Sequence, residues 1–147
     1  MTPVASRGFL LDTNIPSELT RPSPDPSVKA WVEVQPTDSF YLSAITVGEL
    51  RRGLSLLPQG RRRRQLEEWL ESYLLPLFAT RVLPVTQNIA ERWGLLSASR
   101  QLRGTPLSMA DGLIAATALE NDLTLVTRNV KDFVDLGVAV FNPWDSL

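Results

Sequence analysis

Residues 9–14 read FLLDTN, from Phe9 to Asn14, an apolar run that ends on a carboxylate. A short apolar run of this kind is typical of a buried strand, so Asp12 is expected at the point where the strand leaves the sheet. Burying an ionised carboxylate without a partner is costly. Asp12 therefore needs a physical role, either in a turn or as the N-cap of a helix entered through Pro16, or as the ligand of a cation.

Length and composition favour one folded, water-soluble unit. The chain has 147 residues, and we predict a single domain over residues 1–147. Hydrophobic residues make up 44% and charged residues 21%, the balance of a globular protein. No apolar run approaches the ~20 residues needed to cross a bilayer, and the apolar part of the N-terminus is too short for a signal peptide. We expect a cytoplasmic protein with no membrane partner.

The chain contains neither cysteine nor histidine. The lack of cysteine excludes disulfides, thiolate metal sites and thiol nucleophiles. The lack of histidine excludes a Ser-His-Asp triad, imidazole acid–base catalysis and the usual histidine-containing zinc sites. Neither a P-loop nor a GxGxxG fingerprint occurs. Any catalysis must therefore depend on carboxylates or on a bound metal.

Strand patterns alternate with helical patterns along the chain. Strands are predicted at residues 9–12, 40–43, 81–85, 123–127 and 138–141. Helices are predicted at residues 15–19, 27–34, 47–56, 61–78, 88–102 and 109–121, with Pro76 expected to kink or end the fourth. This alternation predicts an α/β fold, a central, mostly parallel sheet of about five strands with helices on both faces. Open sheets of this kind bind ligands at the carboxyl ends of their strands.

Three acidic residues are expected near the carboxyl ends of the strands. Asp12 ends the first strand, and Glu49 and Asp111 are each expected in the first turn of a helix. If the three converge, a divalent cation with oxygen ligands would offset their repulsion. Capping is the alternative, because Thr46-x-x-Glu49 and Ser108-x-x-Asp111 both fit the capping box, and the helix macrodipole favours acids in a first turn.

Four fragments of the sequence share a further pattern. FLLDTN, LSAITVGELRRG, SMADGLIAATALEND and TLVTRNVKDF with GVAVFNPW resemble, in this order, the PIN domain, and particularly the VapC toxins of bacterial toxin–antitoxin (VapBC) pairs. The resemblance covers nearly the whole chain and implies a three-layer PIN-like fold. It also implies an Mg²⁺- or Mn²⁺-dependent endoribonuclease that cuts a structured RNA such as tRNA or rRNA. A cognate VapB-like antitoxin would inhibit it, within a homodimer or a toxin–antitoxin hetero-oligomer.

The resemblance also implies roles for individual residues. Asp12, Glu49 and Asp111 match the catalytic, metal-binding carboxylates. Asn14 and Thr127 match positions that support the acidic cluster through hydrogen bonds. Metal-activated water would attack phosphorus in line, so that no histidine base is required.

Other positions near the same motifs are assigned less directly. Asn129 stands where many PIN domains carry a fourth acid, so it is a possible neutral metal ligand. Asp132, three residues later, is expected at the surface, with a contribution to the metal site as the alternative. Arg51, Arg52 and Arg128 are predicted to face substrate or antitoxin at the rim of the site, since arginine grips phosphates and carboxylates in a bidentate fork.

The basic residues cluster although the net charge is only −1. Arg61 to Arg64 are predicted in the first turn of a helix, where cations oppose the macrodipole. RNA phosphate or acidic antitoxin residues would compensate them. Pairing of Arg63 and Arg64 with Glu67 and Glu68 on a solvated face is the equal alternative.

Two other functions compete with a ribonuclease toxin. One is a FitB-like PIN protein that acts mainly as the partner of a DNA-binding antitoxin in promoter regulation. The other is a nuclease of RNA maturation. A small antitoxin-like reading frame directly upstream would favour the first two functions over the third.

Overall fold

The fold is built on a parallel sheet, seen in a computed structural model that describes residues 7–145. Five strands occur in that range: β1 (Phe9–Leu11), β2 (Phe40–Ser43), β3 (Val82–Leu83), β4 (Thr124–Val126) and β5 (Val140–Phe141). Their order across the sheet is β3-β2-β1-β4-β5, and every neighbouring pair is parallel. The predicted sheet is therefore confirmed, and all five predicted strands are present, four of them shorter than predicted.

Strand β1 occupies the middle of the sheet, and this position determines where a site can form. The chain builds β2 and β3 on one side of β1 and β4 and β5 on the other. The carboxyl end of β1 is thus the point at which the strand order reverses. Ligands of open α/β sheets bind at such a point, and Asp12 follows it directly.

Helices cover both faces of the sheet, as predicted. Within the described residues they are α1 (Asn14–Leu19), α2 (Pro26–Val34), α3 (Ala44–Ser55), α4 (Arg61–Glu68), α5 (Leu75–Leu77), α6 (Gln87–Leu102) and α7 (Met109–Glu120). Short 3-10 turns occur at Thr37–Ser39, Val130–Phe133 and Pro143–Asp145. None of these helices has the length and apolar character needed to cross a bilayer.

Side chains of β1 alternate between two core layers, which explains its continuous apolar sequence. Leu11 packs with Ile15 and Leu70 on one side of the sheet. Leu10 packs with Ile114 of α7 and Leu125 of β4 on the other. Both faces of the central strand are therefore buried, and only its carboxyl end is left to carry a polar residue.

The helical segment from Arg61 changes its geometry before it ends. Helix α4 passes into a π-helical turn at Trp69–Leu74 and then into α5, which ends at Leu77, one residue after Pro76. Proline has no amide hydrogen for the preceding turn, and its ring crowds the carbonyl four residues earlier. The wider turn accommodates that ring, so the expected disturbance at Pro76 is confirmed.

Helix α7 lies close to α6 because Gly112 has no side chain. A Cβ at Gly112 would lie 2.6 Å from Cδ1 of Trp93 and 3.2 Å from Cδ2 of Leu107. Gly112 is buried and directly follows Asp111. The close approach therefore helps to set where the first turn of α7 presents its acid.

We expect Gly112→Ala to lower the free energy of unfolding by about 1–3 kcal/mol, because the added methyl group overpacks against Trp93. Gly94→Ala in α6 is the matched control, since a Cβ there meets nothing within 4 Å. That control should be neutral or stabilising by up to about 1 kcal/mol. Urea unfolding measures both, and equal stability of the two variants would contradict this packing.

Candidate active site

The carboxylate of Asp12 is buried and hydrogen-bonded on both oxygens. Its side chain is only 5% exposed. The backbone N–H of Thr13 donates to Oδ1 at 2.8 Å, and the hydroxyl of Thr127 donates to Oδ2 at 2.7 Å. Asn14 Nδ2 lies 3.5 Å from Oδ2 and 3.3 Å from the Thr127 hydroxyl. Asn14 and Thr127, which resemblance selected, therefore both contact this carboxylate.

Burial raises the pKa of Asp12 above its usual value. The hydrogen bonds from Thr127 and Thr13 act in the opposite direction, and the charges of Asp111 and Glu49 add to the increase. Burial dominates, so hydrogen bonding does not fully replace the lost water. The three acids that the sequence singled out thus interact electrostatically at one end of the sheet.

Glu49 lies in α3, but the prediction that it lies in the first turn of that helix is wrong. Helix α3 begins at Ala44, and the hydroxyl of Ser43 caps it by accepting the Ile45 N–H at 3.0 Å. Glu49 is therefore in the second turn, and the Thr46-x-x-Glu49 capping box does not form. Instead, Glu49 Oε1 accepts a 2.5 Å hydrogen bond from the Thr13 hydroxyl.

Asp111 reaches the same edge from the first turn of α7. The hydroxyl of Ser108 caps this helix by accepting the Asp111 N–H at 3.1 Å, which is the serine half of the predicted capping box. Burial raises the pKa of Asp111, Ser108 opposes the increase, and the charges of Asp132 and Glu49 add to it. Capping and membership of the acidic cluster are therefore compatible at this residue.

Asp132 does not lie at the open surface, where we expected it. It is half-buried in the 3-10 turn after β4, and its charge acts on Asp111. The turn is anchored by Phe133, which is buried in the same apolar cluster as Ile114 of α7. Asn129, the possible neutral ligand, is exposed. Its backbone N–H donates to the Thr127 hydroxyl at 3.0 Å and so connects it to the hydroxyl that binds Asp12.

The predicted rim arginines differ in their surroundings. Arg51 Nη1 forms an ion pair with Glu71 Oε2 at 2.8 Å, whereas Arg52 is exposed. The Arg128 guanidinium lies 5.1 Å from the ring centroid of Trp144. Its backbone N–H donates to Asn14 Oδ1 at 3.3 Å, which ties the Arg128 backbone to the acidic cluster.

The four consecutive arginines begin α4 at Arg61, as predicted. Arg63 Nε lies 3.6 Å from Glu67 Oε2, and Arg63 Nη1 donates to the Leu57 carbonyl at 3.2 Å. Arg62 Nη2 lies 3.5 Å from the Thr20 carbonyl. Arg63 therefore has the glutamate partner that the alternative required, but it is half-buried and not on a solvated face.

The acidic residues fit a hard divalent cation in chemistry and charge. Carboxylate oxygens are the ligands that Mg²⁺ takes in proteins, and a cation would offset the desolvation and repulsion at Asp12 and Asp111. Across residues 7–145, no three acidic side chains stand close enough together, in their present rotamers, to enclose an ion. Glu49 Oε1 and Asp12 Oδ2 each accept a hydrogen bond from a threonine hydroxyl, that of Thr13 and that of Thr127 respectively.

Comparison with known proteins identifies the family of this chain. The chain matches the PIN domain family over residues 9–138. The chain belongs to the PIN domain family. It is 45% identical to the toxin FitB of Neisseria gonorrhoeae, over 92% of this chain and 98% of that protein. It is 41% identical to the VapC ribonuclease Y4jK of Sinorhizobium fredii, over 93% of this chain and 98% of that protein. The predicted family is therefore confirmed.

Solved structures show the same PIN fold. The structure of FitAcB from Neisseria gonorrhoeae has a TM-score of 0.88 and 44% identity, covering 93% of this chain and 99% of that chain. A structure of FitAB bound to an IR36 DNA fragment has a TM-score of 0.87 and 43% identity, covering 92% and 95%.

The raised pKa of Asp12 in this PIN domain predicts a pH effect with a definite sign. Between the unfolded and folded pKa values the native state binds more protons, so the wild type loses stability as pH rises through that range. Asp12→Asn cannot ionise. We therefore expect the stability of Asp12→Asn, relative to that of the wild type, to increase as the pH rises from about 4 towards neutral.

Urea unfolding in EDTA at several pH values measures this difference. Asp38→Asn, in the exposed turn Thr37–Ser39, is the control and should follow the wild type within about 0.5 kcal/mol. An Asp12→Asn curve parallel to that of the wild type at all pH values would contradict a raised Asp12 pKa.

Proposed function

We propose that this PIN domain is an Mg²⁺- or Mn²⁺-dependent endoribonuclease and the toxin of a toxin–antitoxin pair. The supporting observation is the electrostatic cluster of Asp12, Glu49 and Asp111, which Asp132 joins, at the carboxyl edge of the sheet. Relatives that are named ribonucleases, among them VapC ribonuclease Y4jK, are similar over more than nine-tenths of the chain.

Asp12, Asp111 and Glu49 would hold the ion, with Asn129 or Asp132 as the additional oxygen donor. When bound, a divalent ion supplies water of lowered pKa and neutralises charge on a phosphate. The chain itself holds Asp12 in one orientation through Thr127 and the Thr13 amide. Preorganised groups of this kind do not have to reorient during the reaction.

The hydrolysis requires no further protein nucleophile. In-line attack of water on phosphorus breaks the bond to the 3′ oxygen and leaves a 5′-phosphate and a 3′-hydroxyl. The 2′-hydroxyl of RNA is not consumed. A chain without histidine or cysteine is therefore chemically sufficient for this reaction.

An apolar groove on the face of the sheet that α1 and α2 cover supports binding of a protein partner. It has a volume of about 630 Å³ and lies between α1, α2 and the π-helical turn, with Pro16, Val32, Trp69 and Tyr73 among its lining residues. Tyr73 is 60% exposed. An amphipathic segment of a VapB-like antitoxin would suit such a groove, and a similar solved structure is a toxin–antitoxin complex from Klebsiella pneumoniae. These features support a toxin–antitoxin hetero-oligomer, built on one toxin chain or on a homodimer.

We expect the purified chain to cleave tRNA or rRNA when Mg²⁺ or Mn²⁺ is present and to stop in EDTA. Asp12→Ala should lower the cleavage rate by more than about 100-fold, because loss of a residue that merely orients a metal ligand already costs 10–100-fold. Asp38→Ala, at an exposed acid outside the cluster, should cleave like the wild type. Sequencing of the new 5′ ends identifies the substrate, and cleavage that survives both EDTA and Asp12→Ala would contradict the proposal.

A second function is favoured by the 45% identity to FitB and by the likeness to FitAB on DNA. In that case the chain acts mainly as the partner of a DNA-binding antitoxin. The same preparation distinguishes the two functions, since the second predicts promoter binding by the toxin–antitoxin pair and negligible RNA cleavage by the isolated chain.

A further inference from the structure

Arg100, in the last turn of α6, is a buried arginine at only 9% exposure. Its Nε donates to the Thr105 carbonyl at 2.8 Å and to the Thr105 hydroxyl at 3.1 Å. Its Nη1 lies 3.3 Å from the Asp132 carbonyl oxygen and 3.5 Å from that of Val134. Removing a guanidinium from water is costly unless its donors are satisfied, and here backbone oxygens of two separate segments accept from Nε and Nη1.

One of those two segments leads to an acid of the candidate site, and the other contains one. Thr105 lies in the loop that leads to Ser108, the cap of α7, and so to Asp111. Asp132 lies in the 3-10 turn after β4, and its charge acts on Asp111. One planar, rigid fork therefore connects the approach to Asp111 with the turn that bears Asp132.

Helix-end electrostatics account for only part of this arrangement. A cation in the last turn of a helix is favoured by the macrodipole, and Arg103 is also at the end of α6. Arg103, however, is exposed and lies 3.9 Å from the Asp135 carboxylate. Only the Arg100 guanidinium reaches from α6 to the backbone carbonyls of Asp132 and Val134 among the contacts described for these two arginines.

We propose that Arg100 is a positioning residue that holds Asp132 beside Asp111 and thereby sets the affinity of the acidic cluster for a divalent cation. This inference rests on the proposed function. Arg100 touches neither acid's carboxylate and acts through the backbone. A lysine at this position keeps the charge but has no fork that spans both segments.

Mn²⁺ titration calorimetry on the purified full chain tests the metal-binding consequence. We expect Arg100→Lys to weaken Mn²⁺ binding by about 5–10-fold, with Asp132→Asn producing a similar loss. The double variant should bind as weakly as Asp132→Asn alone, since both changes act on one interaction. Arg103→Lys is the control and should bind Mn²⁺ within about 2-fold of the wild type. Unchanged affinity in folded Arg100→Lys, or losses that multiply in the double variant, would overturn the proposal.

Amide hydrogen exchange without metal tests the positioning itself. We expect Arg100→Lys to accelerate exchange in residues 130–134 at least about 5-fold, with the core of α7 unchanged and Arg103→Lys like the wild type. Exchange in that turn equal to the wild type would overturn the positioning role, and faster exchange throughout the chain would reduce Arg100 to a residue of general stability. A wild-type chain that binds no Mn²⁺ would instead contradict the proposed function and the affinity consequence together, while the exchange result still decides whether Arg100 holds the turn.

Discussion

The candidate site depends on the burial of one carboxylate at the end of the middle strand. Asp12 follows β1, whose two neighbours in the sheet are β2 and β4. The residue after β4, Thr127, supplies a hydroxyl to Asp12, and the helix after β2 supplies Glu49. Parallel pairing therefore brings together groups that are far apart in sequence, and the cost of burying the charge links site chemistry to stability.

The strand pattern and the first acid could be predicted from the sequence because both are local signals. A buried central strand has apolar residues on both faces, and Leu10 and Leu11 show this directly. The carboxyl-edge rule then selects Asp12 without knowledge of its partners. The family resemblance added Asn14 and Thr127, and the hydrogen bonds of both residues lie within the cluster.

The start of α3 and the burial of Asp132 could not be predicted from the local sequence pattern. Ser43 and Thr46 are both good N-cap residues, and the Ser43 hydroxyl caps α3, so Glu49 lies one turn later than predicted. Asp132 was expected at the surface, yet the buried Phe133 packs its turn against α7 and the distant Arg100 of α6 bonds to its carbonyl. The spacing of residues in the sequence does not predict a contact between residues as far apart as Arg100 and Asp132.

The effect of Mn²⁺ on the free energy of unfolding at pH 7 tests whether Asp12 and its neighbours form a metal site. An ion that binds only the native state stabilises it by about 2.7 kcal/mol at 100 times its dissociation constant. We predict such a gain for the wild type and little or none for Asp12→Asn. An equal response of the two proteins, or no response in either, would contradict the assignment of a metal site to this cluster.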